Sequence, residues 1–208
     1  MPRLPTIHEV FSSRSLFGLH GLTITPRTLP DAVPQAVSMC LKYLGEVAHE
    51  AQVGDALGAP TAAGVMPAEI MRYVSGRGIR CSGYVRTPFP YILERIKQQV
   101  PSMVLWPAAS PRWLIPCGYE PDMQVVVFAD PDRGKFTVSA LEDAERQWNQ
   151  QPADQYATKV VLPFDRVSAG TSPKGGKHPL NRKTFDLQAF TNSTYERAKA
   201  AAVAVEAD

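Results

Sequence analysis

Covalent chemistry on a soluble chain needs a nucleophile and a group that can take its proton, and this sequence offers few of either. There are three cysteines, Cys40, Cys81 and Cys117, and four histidines, His8, His20, His49 and His178. A thiolate that attacks a carbonyl beside an imidazole is the chemistry such residues could support. Their settings argue against it. The cysteines are odd in number, far apart and set in apolar stretches, so they form neither a disulfide framework nor the C-x-x-C spacing of a zinc site. They read as buried free thiols. Cys40 lies within a helical pattern and so belongs to a core. The histidines are scattered and read as surface residues. No metal and no cofactor is expected.

The elements that would position any site follow from pattern and punctuation. The 208 residues carry 44% hydrophobic and 20% charged residues with a net charge of +2, which describes one ordinary domain with a tail. Nineteen prolines, about twice the roughly 5% share typical of globular chains, predict hard stops between short elements. No run approaches the roughly 18 apolar residues of a membrane span, and the opening residues lack the apolar core of a secretion signal, so the expected compartment is the cytoplasm, with no membrane insertion. Asp31 precedes a helix in which Val33, Val37, Cys40, Leu41 and Leu44 share a face and Gly45 closes the run. Weaker patterns predict helices over about 48–57, 67–76 with Ile70, Met71 and Val74 inward, and 89–99. From Ile79 onward short runs rich in β-branched and aromatic residues predict strands. Asp130 to Gly134 reads as a tight turn, and Ser139 with Glu142 as a capping box opening one more helix. Helices first and an antiparallel sheet second define an α+β fold.

Four segments are expected: 1–25 as an N-terminal extension, 26–164 as the domain, 165–190 as a basic linker and 191–208 as a C-terminal helix. Arg166, Lys174, Lys177, Arg182 and Lys183 occur between Arg166 and Thr184 without a single acid. The alanine-rich helix beyond has little to bury alone, so it is where a second copy or another partner would pack.

The order of these elements, and the residues in them, resembles the bacteriocin-processing, double-glycine-cleaving branch of the papain-like cysteine peptidases, a bacterial family. Its motif Gln-x5-Cys-Gly-Pro-Ala heads a helix ending Tyr-Leu-Gly. Here Asp31-Ala32-Val33-Pro34-Gln35-Ala36 heads a helix ending Tyr43-Leu44-Gly45. A Gly-rich turn and helix follow, then a strand opened by Pro101. The next strand begins His-Trp or His-Phe in the family, and here it reads Arg112-Trp113-Leu114-Ile115. A valine-rich strand then ends Ala129-Asp130-Pro131, and a helix carries Trp148. The resemblance spans about residues 20 to 163 and implies a papain-like fold.

The departures fall on the chemistry. In such a site a thiolate attacks, an imidazole moves the proton, an Asp or Asn orients the imidazole, and a Gln helps hold the oxyanion. Ala32 stands in the thiol's place, and a methyl group cannot ionise. Arg112 stands in the imidazole's place, and a guanidinium cannot accept a proton near neutrality. Pro26 stands where the Gln would be. Only Asp130 is retained. Loss of one triad member costs up to roughly 10⁶ in rate, so the resemblance implies a pseudo-peptidase rather than an enzyme.

What remains is a cleft that could hold a peptide, with Asp31, Ala32, Val33, Trp106, Arg112, Trp113 and Asp130 as candidate binding residues. Two arrangements are open to Arg112. It could join the helix start to form an anion pocket, or pair with Asp130 and fill the old cleft with an ion pair. Trp106 and Trp113 could wall a groove or be buried. By resemblance the chain is a protein- or peptide-binding docking module in bacterial secretion, export or assembly, serving an exporter that is a separate molecule. A hydrolase or acyltransferase with another nucleophile is a second reading. A nucleic-acid accessory acting through the basic segment is a third, with a weak signal.

Overall fold

The computed structural model describes residues 3–25, 27–59, 65–107, 112–150 and 159–166. The basic segment beyond Arg166, the C-terminal helix and Pro26 lie outside them. Helix α2, Val33–Tyr43, runs through the centre, and every residue from Val33 to Leu41 is buried. Pro34 in its first turn suits a helix start, where its missing N–H is no loss. Gly45, at φ +79°, ends it in the left-handed conformation that glycine adopts without cost. Helix α3, Glu50–Leu57, packs beside it, and helix α4, Pro67–Gly76, packs against α3. In α4, Ile70 and Val74 are buried as expected, whereas Met71 is only half-buried, against its periphery.

The sheet is antiparallel throughout. Its strands are β2 (Ile79–Cys81), β3 (Ser102–Trp106), β4 (Arg112–Glu120), β5 (Val125–Asp130), β6 (Lys135–Ala140) and β7 (Val161–Arg166). They lie in the order β2-β7-β3-β4-β5-β6. Strand residues alternate between two cores. Met103, Ile115, Val125, Val127 and Ala129 face α2, α3 and α4. Val104, Leu114, Val126 and Phe128 face helix α5 (Phe89–Lys97) and helix α6 (Leu141–Asn149), which bring Phe89, Ile92, Ile96 and Trp148. Because β5 is covered on both faces, its sequence is a continuous apolar run rather than an alternating one. Pro116 is tolerated inside β4 because the register shifts there, between Pro116 and Gly118, as a bulge.

Two expectations are corrected. Residues 3–25 are not an appendage. Thr6 and Glu9 form a capping box for helix α1 (Ile7–Phe11), and strand β1 (Phe17–Gly18) pairs with β4. Val10, Leu19 and Leu22 are buried in the main core. Gly18 lies opposite Gly118, and a Cβ on it would sit 3.0 Å from the Cys117 carbonyl oxygen, tight enough that a larger residue would need β1 and β4 to give slightly. Ser139 forms no capping box either. It still belongs to β6, pairing with Val126, and its hydroxyl donates to the Ala140 carbonyl. Helix α6 begins directly after the strand, and Leu141 N–H donates to Gln124 O at 2.8 Å.

Candidate functional site

The start of α2 is built from the loop before it. The carboxylate of Glu50, in the first turn of α3, accepts hydrogen bonds from the backbone N–H groups of Thr28 and Leu29 at 2.9–3.0 Å and from the Thr28 hydroxyl at 2.8 Å. Asp31 Oδ1 accepts from Val33 N–H at 2.9 Å, satisfying one of the helix's unpaired donors. Ala32 occupies the N-cap itself and supplies no side-chain bond. Gln35, buried in the first turn, donates through Nε2 to Thr25 O, and its Oε1 has no partner among the described residues. Asp31 and Ala32 are half-buried and Val33 is buried.

Opposite this loop, the end of β5 holds a fully buried carboxylate. Asp130 Oδ2 faces Arg112 Nε at 3.6 Å and Arg133 Nε at 3.8 Å, while Oδ1 accepts from the Arg133 backbone N–H at 3.1 Å. Of the two arrangements open to Arg112, the ion pair with Asp130 is present. A second pair, Arg27 to Asp132 at 2.5 Å, ties the loop entering α2 to the turn that follows Asp130. That pair joins the two halves of the site. Among the described residues no hydrogen bond or ion pair runs directly from residues 31–33 to Arg112 or Asp130.

Register separates the two tryptophans. Trp106 lies opposite Arg112 and Leu105 opposite Trp113 in the β3–β4 ladder. Trp113 and Leu105 pack on the α2 side, whereas Trp106 is 4% exposed in the other core, 4.7 Å from the Phe128 ring and 5.5 Å from that of Trp148. Trp106 is taken up by that second core, so it leaves the candidate set. Trp113, half-buried, lies on the α2 side, whereas Arg112, paired with Trp106, starts from the other face of the sheet. Arg133 and Arg27 were not singled out from the sequence. The signal that could have found Arg133 is its place three residues after Asp130 in a proline turn, where its N–H must fall on that carboxylate.

The three thiols are buried and free, as expected. Burial pushes the Cys81 thiol up to about 12, helped by the charge of Asp165. It raises Cys40 and Cys117 further still. None therefore offers a thiolate near neutrality. No group of His, Cys, Asp and Glu among the described residues is arranged to hold a metal ion. A cavity of about 290 Å³ lies away from this site, between the N-terminal segment and the sheet, lined by Phe11, Leu19, His20, Cys117 and Phe136 among others.

This arrangement of helices on an antiparallel sheet is similar to that of papain-like peptidase domains of double-glycine peptidases. One solved structure with this fold is a double glycine motif protease from an AMS/PCAT transporter in complex with the leader peptide. It is 16% identical, with a TM-score of 0.52, and the match covers 69% of this chain and 91% of that one. Another is the peptidase domain of Streptococcus ComA, a bi-functional ABC transporter involved in a quorum sensing pathway. It is 15% identical, with a TM-score of 0.52, covering 70% of this chain and 99% of that one. No protein-family model and no curated protein matches the chain. At these identities the likeness establishes the fold, and the α+β papain-like architecture expected from the sequence is the one found.

Proposed function

We propose that this chain is a peptide-binding domain on a peptidase fold that lacks the catalytic groups, a docking module that holds a protein or peptide partner without cutting it. The observation that carries this reading is the Arg112–Asp130 ion pair. Asp130 occupies the strand end from which a carboxylate would orient an imidazole, and a guanidinium, which cannot take a proton from a nucleophile, faces it instead. The methyl group of Ala32 at the head of α2 supports the same conclusion, as do three thiols too buried to ionise. The partner class is supported by the neighbour solved with a leader peptide. Both neighbours come from ABC transporters, which favours a process in bacterial export or assembly. No described helix is long and apolar enough to cross a membrane.

The test is a synthetic peptide library of fixed length passed over the immobilised protein, with bound and unbound fractions read by mass spectrometry. The expected result is enrichment of a subset, recovered at full length. Cleavage products, or stoichiometric labelling of one residue by a thiol- or serine-directed electrophile with the fold intact, would overturn the loss of catalysis. Absence of any enrichment would overturn docking.

A further inference from the structure

We infer that the guanidinium groups of Arg112 and Arg133 together form a receptor for one carboxylate of the bound peptide. The inference rests on the peptide-binding reading and adds the chemical group that the peptide must carry.

Both arginines meet Asp130 through Nε, at 3.6 and 3.8 Å, beyond the roughly 3.2 Å of a good hydrogen bond. The two-pronged pairing that guanidinium and carboxylate form at full strength is absent. Arg112 Nε and Asp130 Oδ2 are both buried, and neither has a hydrogen-bond partner. Among the described residues neither guanidinium donates a hydrogen bond to any acceptor, so the Nη groups of both are unspent. Asp130, fully buried, attracts the two Nε atoms from below. The side chains are 30% and 54% exposed, which leaves those Nη groups within reach of a ligand.

Charge selects the ligand. Arg112 and Arg133 against Asp130 leave one positive charge, and the neighbouring Arg27–Asp132 pair adds none. A single carboxylate balances that charge. A phosphate dianion would leave negative charge beside a buried Asp130, which the interior penalises. The receptor therefore suits a monoanion, either a peptide's C-terminal carboxylate or the side chain of an internal Asp or Glu.

Arginine Nε–H resonances of the intact chain report occupancy directly. The probes are N-acetyl-alanyl-alanine, its C-terminal amide, N-acetyl-glutamyl-alanine amide and inorganic phosphate. The expected result is a saturable shift of the Arg112 and Arg133 Nε–H signals with the two acids and none with the alanyl-alanine amide. The tighter of the two acids then tells a terminal carboxylate from a side-chain one. Arg133→Gln, an exposed turn position, should weaken the tighter acid at least about tenfold while leaving the spectrum folded. Arg112→Met should do the same where it folds. Equal shifts with the alanyl-alanine amide, or saturation by phosphate at lower concentration than either acid, overturn the inference. If the peptide library shows enrichment with no dependence on a carboxylate, this inference falls while docking stands.

Discussion

Asp130 has no exposed surface and two arginines within 4 Å, so the cost of disturbing it depends on what is left behind. Removing one partner of a fully buried ion pair costs roughly 3–5 kcal/mol. Arg112 is 30% exposed and Arg133 would still face the carboxylate, so Arg112→Met is expected to cost only about 1–2 kcal/mol, read as a shift in urea midpoint at constant slope. A second prediction concerns the head of α2. With Ala32→Cys, Val33→Gly and Arg112→His combined, the introduced sulfur sits at a helix start, where the dipole lowers a thiol's pKa. Iodoacetamide should label position 32 far faster than Cys40, Cys81 or Cys117, as mass spectrometry of the native protein would show. Labelling confined to unfolded protein would count against the placement of residue 32 in an open site. Ala32, Arg112 and Asp130 were singled out in the sequence through the resemblance to the double-glycine peptidase motifs, which implies a position for each. The separation of Trp106 from Trp113 was not legible there, because it depends on which face each strand position takes, and that is set by the β3–β4 register.

Elements of ordinary length announced themselves, and the two shortest near the N-terminus did not. Helix α2 repeats its apolar residues over three turns, whereas α1 has five residues and β1 two, too few to show any period. The N-terminal segment is held by pairing with a strand about a hundred residues away, information that no local window contains. At Ser139 a local signal lost to a tertiary one, since β6 keeps its backbone paired up to Ala140. Helix α6 is docked chiefly by Trp148, which is fully buried and donates from Nε1 to Thr87 O at 2.6 Å. Trp148→Ala is expected to cost about 3–5 kcal/mol in chemical denaturation, through the cavity and the stranded Thr87 carbonyl. A loss below about 1 kcal/mol would mean that α6 contributes little to the second core.

At the scale of the whole molecule, the N-terminal segment is fastened to the far end of β4 by Glu120. Burial alone would raise that carboxyl's pKa, but hydrogen bonds, from the Met123 N–H at 2.6 Å and the Ser13 hydroxyl at 2.8 Å among them, outweigh it and hold the value below the ordinary 4.5. A depressed folded value means that the carboxylate stabilises the fold above pH 4.5 and loses that contribution as pH falls through the folded value. Glu120→Gln should therefore lower stability at pH 7 and flatten its dependence below about pH 4.5, measured by urea titration at a series of pH values. Parallel curves for the two proteins would show that Glu120 does not carry the effect. The sheet order has a consequence for biosynthesis. Strand β7, the last described element, is inserted between β2 and β3 rather than added at an edge. Until residue 166 has cleared the ribosome, β2 has no neighbour and β3 has an open side. At roughly 5–20 residues per second, the 85 residues from Cys81 to Arg166 leave β2 unpaired for about 4–17 s, the interval in which a nascent chain most needs a chaperone.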